Sequence, residues 1–152
     1  MTFGNDISIR VAIFVLGLCG FMVARHINNH KAKNKPLICP ARFDCNTVVH
    51  SNYSTFMSMP VEIAGMIYYA FITLAYFFLI FMPDSVTPFF IGFLACISLV
   101  AFLFSTYLLA VQIFILKKGC SWCLASTFIS AVIFLLTIFS HDFSFVAQIF
   151  VR

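Results

Sequence analysis

Four long, nearly uninterrupted apolar runs decide what this chain can fold into. They cover about residues 7–24, 61–82, 89–116 and 120–139. Each reaches or approaches the roughly 20 residues that a bilayer span requires. The runs are continuously apolar and do not alternate, so they read as helices and not as strands of a barrel. Arg10, near the end of the first run, is expected to snorkel to the headgroups. Composition agrees: 62% of the 152 residues are apolar and only 9% are charged, where a soluble domain carries about 25% charged residues. Nine basic and five acidic side chains cannot cover a water-facing surface, and such hydrophobicity also excludes disorder.

The expected fold is all-α and membrane-integral: a four-transmembrane-helix bundle forming one domain over residues 1–152, without repeats or linkers. The turn Pro83–Pro88 is short, so the second and third spans are expected to be antiparallel neighbours. Residues 1–24 have a competing reading as a cleaved leader. Arg25-His26 follows Ala24 without a small-residue cleavage pattern, so the run is taken as a span.

Residues 25–60 form a long first loop. Arg25–Pro36, with His30, Lys31, Lys33 and Lys35, reads as a hydrated spacer. From Asn46 to Met57, Val49, Tyr53, Phe56 and Met57 recur at helical spacing opposite Asn46, His50, Asn52 and Ser54. A short amphipathic helix is expected there, lying on the membrane or across the mouth of the bundle, and simple interfacial anchoring explains it equally well. Pro60 then opens the second span. Glu62 is costly so close to a span. It reads as a cap for that helix, with a proton relay as the alternative. His26, His30, His50 and His141 lack ligand-like spacing and read as solvated.

The six cysteines carry the chemistry. Cys19 and Cys96 stand alone inside spans, as small apolar fillers. The other four form two pairs on one side of the membrane by span parity: Cys39 with Cys45 in the first loop, and Cys120 with Cys123 in Cys-Ser-Trp-Cys. Residues three apart share a helix face, so Cys120 and Cys123 can bond to each other and open into the same pocket. A cysteine at a helix N-terminus meets unpaired amides and the positive end of the dipole, which favour thiolate. Lys117 and Lys118 are expected to push the same way. Two dithiols on one face suit a relay: a mobile loop pair exchanges with a water-soluble dithiol protein and passes reducing equivalents to the fixed pair, each time through a mixed disulfide. The fixed pair then reduces a ring such as a quinone held among the helices.

At this point the ordered residues Cys39-x5-Cys45, Val48, Ser51, Tyr53, Pro60, Gly65, Tyr69 and Cys120-Ser-Trp-Cys123 resemble the vitamin K epoxide reductase family in its bacterial-type form. The resemblance spans about Cys39 to Ser126. It implies a bundle around a quinone, either ubiquinone or menaquinone, in a cell inner membrane with the cysteines facing the periplasm. It also implies that Cys39 and Cys45 are the shuttle pair, that Cys45 meets Cys120, and that Cys123 reduces the quinone, with Ser51 and Tyr69 beside it. The implied partner is a soluble thioredoxin-fold, DsbA-like dithiol protein acting in trans, because no fused domain of that kind is recognised. Ser58, Val61 and Thr127 depart from relatives. Val61 and Thr127 replace the Asn and Tyr with which animal members contact substrate, which favours a quinone over vitamin K epoxide.

Charge points the other way on orientation. Arg25, Lys31, Lys33, Lys35, Arg42, Lys117 and Lys118 lie on the cysteine side, and by the positive-inside rule that side faces the cytoplasm. Disulfide chemistry requires an oxidising compartment, so the exoplasmic orientation is preferred. The basic loop then reads as a surface for an acidic partner or for lipid headgroups. Other classes are a four-thiolate zinc site and a non-enzymatic bundle stapled by two disulfides. Leu124 after Cys123 excludes haem attachment, and nothing points to nucleic acid.

Overall fold

Helices take up all four apolar runs. The computed structural model describes residues 2–33, 55–56, 59–82, 84, 87–117, 119–139, 148 and 151. Helix α1 is Thr2–Ala32, α2 is Val61–Phe81, α3 is Pro88–Val111 and α4 is Ser121–Phe139. The stretches Ile7–Ala32, Val61–Phe81, Phe89–Ile115 and Ser121–Phe139 are each long and apolar enough to cross a membrane. The chain is a multi-pass membrane protein built as a four-helix bundle.

Helix α1 continues to Ala32, which corrects the spacer reading over residues 25–32, while residues 34–36 lie outside the described residues. No Gly or Pro interrupts residues 21–32. The buried positions Ile13, Gly17, Gly20, Ala24 and Ile27 repeat every three or four residues, so one stripe keeps packing beyond the apolar run. His30 and Lys31 fill the last turn, where cations complement the exposed carbonyls. At about 1.5 Å per residue the helix is about 46 Å long, more than the roughly 30 Å hydrocarbon core.

Small residues set which helices meet. Gly17 and Gly20 let α1 approach α2 so closely that a Cβ on Gly17 would collide with the Thr73 hydroxyl and one on Gly20 with the Tyr69 ring. Such close approach at small residues is how membrane helices gain packing energy. The main helix seams are α1–α2, α1–α4 and α3–α4. Helices α2 and α3 are also in contact, but their backbones stay apart. They meet through large side chains, with Phe71 edge-on to Phe93 at 6.2 Å and the Tyr68 hydroxyl donating a long 3.5 Å bond to Ser98.

Polar groups in the interior are satisfied across seams. Arg10 is buried, and its guanidinium donates to the Leu79 carbonyl at 3.0 Å. That carbonyl is in the last turn of α2, which has no helical partner for it, so Arg10 ties two helices together instead of snorkelling. Tyr76 and Thr137 join α2 to α4 at 3.3 Å, while Thr137 donates back to Ile133 O at 2.8 Å. Around them the core closes on Ile13, Ile72, Leu79, Leu94 and Ile133.

The connections shape the end that carries the cysteines. Strands β1 (Thr55–Phe56) and β2 (Met59–Pro60) pair antiparallel, Thr55 opposite Pro60. The amphipathic helix expected over Asn46–Met57 thus does not extend through Thr55–Phe56; the rest of that segment lies outside the described residues. Pro60 is the N-cap of α2. At the other end of the bundle Thr87 is the extended N-cap of α3. Helix α3 widens into a π-helical turn at Gln112–Leu116, closed by Lys117 in the left-handed region (φ 52°), whose N–H bonds Gln112 O. That stop turns the chain sharply towards Cys120.

Candidate active site

The thiol pair is organised by the start of α4. Cys120 immediately precedes the helix, its carbonyl accepting the Leu124 N–H at 3.0 Å and its sulfur accepting the Cys123 N–H at 3.3 Å. The first cysteine therefore acts as an N-cap, a role usually filled by Ser, Thr, Asp or Asn. Both cysteines are free thiols, Cys120 buried and Cys123 partly so. The hydrogen bond with the Cys123 side chain draws the Cys120 thiol below the ordinary cysteine range. The Cys123 and Trp122 backbone amides help, against burial and the Glu62 carboxylate. Of the two lysines expected to push the same way, Lys117 is exposed and Lys118 lies outside the described residues.

One turn into α4, Cys123 enters the wall of a cavity of about 490 Å³ that all four helices line. Ala24 and Ile27 come from α1. From α2 come Val61, Glu62, Ala64, Gly65, Tyr68 and Tyr69. Helix α3 and its π-turn give Val100, Phe104, Leu108 and Gln112, and α4 adds Cys123, Ser126 and Thr127. The wall is overwhelmingly apolar. Ala64 and Val100 are exposed, so the cavity opens sideways between α2 and α3, where the two backbones stay apart.

Several residues singled out by sequence reach this cavity. The Tyr69 ring packs on Gly20, and its hydroxyl donates to Ser126 O at 2.8 Å and pairs with the Ser126 hydroxyl at 2.9 Å. Tyr69 thus lines the cavity with its phenol already committed to α4. Val61 and Thr127, the two departures from animal relatives, both line it, and Thr127 donates to Cys123 O at 2.9 Å. Cys19 and Cys96 are exposed on α1 and α3, away from the cavity. Cys39, Cys45 and Ser51 lie outside the described residues.

Three side chains play parts their sequence context did not reveal. Glu62 stands in the first turn of α2, where no side chain caps the helix, and pairs instead with Lys31 of α1 at 3.3 Å. His26 is exposed, and its ring lies tilted against Trp122, between the two cysteines, at 4.6 Å and against His30 at 4.5 Å. Gln112 is buried in the π-turn and lines the same cavity as Cys123, its carbonyl oxygen without a partner. Lys31 and His26 escaped notice because their roles depend on α1 outlasting its apolar run. Gln112 had one visible signal, an amide at the end of an otherwise apolar span. Among the described residues no group of three or more His, Cys, Asp or Glu could hold a metal ion.

Helices that cross a membrane around a laterally open cavity, with a dithiol where the cavity meets the helix ends, define a membrane-embedded redox protein. Residues 11–138 match the vitamin K epoxide reductase family, and the chain belongs to that family. It is accordingly an oxidoreductase, of a family whose members use quinones. No curated protein matches the chain.

Proposed function

We propose that this protein is a membrane thiol oxidase. It takes two electrons from a soluble thioredoxin-fold, DsbA-like dithiol protein and delivers them to a membrane quinone, supporting disulfide formation. The whole chain acts as one transmembrane domain, with Cys39, Cys45, Cys120 and Cys123 as its redox groups. Cys39 and Cys45 exchange with the soluble partner, Cys45 passes the electrons to Cys120, and Cys123 faces the quinone beside Ser51 and Tyr69. The cysteines face the periplasm of a cell inner membrane.

The observation that carries this reading is the position of Cys123. It shares a helix turn with a buried, amide-capped thiol and at the same time lines an apolar cavity open between α2 and α3. A volume of about 490 Å³ suits a small-molecule ring, and the lateral opening leaves room for a lipid-soluble tail. When bound, the quinone supplies a two-electron, two-proton acceptor. The chain supplies the rest. The Cys123 amide holds the Cys120 sulfur, the Thr127 hydroxyl bonds the Cys123 carbonyl, and the apolar wall excludes water from the exchange.

The test is direct. Purified full-length protein, given a reduced thioredoxin-fold dithiol protein and a short-chain benzoquinone, should bleach the quinone absorbance. Cys120→Ala and Cys123→Ala should each abolish the reaction, while Cys19→Ala and Cys96→Ala should leave it nearly unchanged. No bleaching by the wild-type chain, or full activity in Cys123→Ala, refutes the assignment.

A further inference from the structure

We infer that Glu62 carries a proton between the Cys120–Cys123 pair and the ring bound in the cavity, and that Lys31 holds its carboxylate in place for that transfer. The inference rests on the thiol-to-quinone reading above and adds to it a residue and a step. Among the described residues, Glu62 is the only acidic side chain in the cavity wall. It is 9% exposed and its partner Lys31 is 17% exposed, so the pair is largely withdrawn from water. Glu62 and Cys123 line the same cavity.

Stability accounts for only part of this arrangement, because a carboxylate in the first turn of α2 complements the helix dipole by a modest amount. A buried ion pair replaced by apolar groups of similar size is often neutral or better, and the surrounding wall is apolar. Glu62 does not cap α2 either. The chemistry of the site does need such a group. Oxidation of the pair breaks two S–H bonds and forms one S–S bond; two electrons pass to the ring, and two O–H bonds form on its oxygens. Both protons must therefore move from sulfur to oxygen inside a wall with few polar groups. The hydroxyls nearest Cys123 are engaged, Thr127 on Cys123 O and Ser126 with Tyr69. Helix α3 and its π-turn bring no titratable side chain to the wall, only the neutral Gln112 and Ser105. Glu62 takes the proton of one thiol to one ring oxygen and then, its carboxylate restored, the proton of the other thiol to the second ring oxygen, so both S–H protons end in the two O–H bonds.

The experiment compares single-turnover oxidation of the reduced full-length protein by a short-chain benzoquinone in the wild type, Glu62→Gln, Glu62→Asp and the double variant K31M/E62M. Expected is a loss of about 100-fold in Glu62→Gln, in line with a positioned proton carrier, with the quinone KM within twofold of wild type. Glu62→Asp, which keeps a carboxylate, should retain at least a tenth of the rate. The double variant leaves no unpaired buried charge and guards against misfolding of Glu62→Gln; it should be as slow. A loss below tenfold in Glu62→Gln or in the double variant overturns the inference, as does Glu62→Asp as slow as Glu62→Gln. Inactive wild-type protein overturns the underlying thiol-to-quinone reading instead, which keeps the two failures apart.

Discussion

The backbone N–H of Cys123 donates to the sulfur of Cys120 over 3.3 Å, so the first thiol of the pair caps the helix that carries the second. The cap and the redox group are one atom, and substitution can separate them. Cys120→Ser restores a good N-cap and removes the thiol; Cys120→Ala removes both. Both variants should lose quinone reduction, but Cys120→Ala should also lose about 1 kcal/mol of stability that Cys120→Ser retains. Thermal unfolding in detergent distinguishes them.

The same hydrogen bonding sets a pH dependence. Because the Cys123 side chain and nearby amides hold the Cys120 thiol below the ordinary range, its thiolate persists to lower pH than in an unfolded chain. Exchange at Cys120 should therefore fall off at a lower pH than exchange at an ordinary cysteine. The pH profile of exchange with a small disulfide should show its midpoint below about 8.5, the usual cysteine value. A midpoint at or above that value contradicts the cap.

Gly20 and Tyr69 make a second pair with a measurable consequence. The Tyr69 ring occupies the space that any Cβ on Gly20 would need, and its hydroxyl is fixed on Ser126, so the ring cannot simply swing aside. Gly20→Ala should destabilise the protein by about 1–3 kcal/mol, the usual range for overpacking. Combining Gly20→Ala with Tyr69→Val should cost less than the two single losses together, because the smaller side chain frees the space. Strict additivity would show that the contact is not the cause.

The four apolar runs made the bundle legible in the sequence, because in a bilayer length and hydrophobicity alone select a spanning helix. The Cys-Ser-Trp-Cys spacing made the thiol pair legible, because a three-residue step fixes a shared face whatever surrounds it. Gly17 and Gly20 decide which helices touch, yet a glycine in an apolar run looks the same whether it faces lipid or a tyrosine. Lys31 and Glu62 are 31 residues apart, and their pairing depends on α1 persisting past Ala24, which no local pattern demanded. Arg10 misled for a related reason: a cation near a span end snorkels by default, unless a helix terminus with free carbonyls lies within reach, as that of α2 does at Leu79.

That last relationship gives a prediction of its own. Arg10→Met should lower stability by about 1–3 kcal/mol, since it strips the donor from the buried Leu79 carbonyl and leaves that acceptor unsatisfied. Arg10→Lys should recover only part of the loss, because a flexible ammonium replaces a planar donor whose geometry is preorganised. The cavity lies at the far end of α2, beside Glu62 and Tyr69, so the quinone KM should change little in either variant.

Lys117 offers the converse case, in which a substitution should help. It is the one non-glycine residue with positive φ among the described residues, and it ends the π-turn by donating to Gln112 O. A side chain in the left-handed region costs roughly 1–2 kcal/mol that glycine avoids, and glycine is the usual residue at such helix ends. Lys117→Gly should therefore raise the unfolding midpoint, and Lys117→Val, β-branched and unsuited to that φ, should lower it. The same comparison tests whether the charge matters to the thiols. Lys117 is exposed and the Cys123 side chain and nearby amides lower the Cys120 thiol, so exchange at Cys120 in Lys117→Gly should keep its pH midpoint. A shift upward would return to the lysine a role that the geometry gives to the amides of α4.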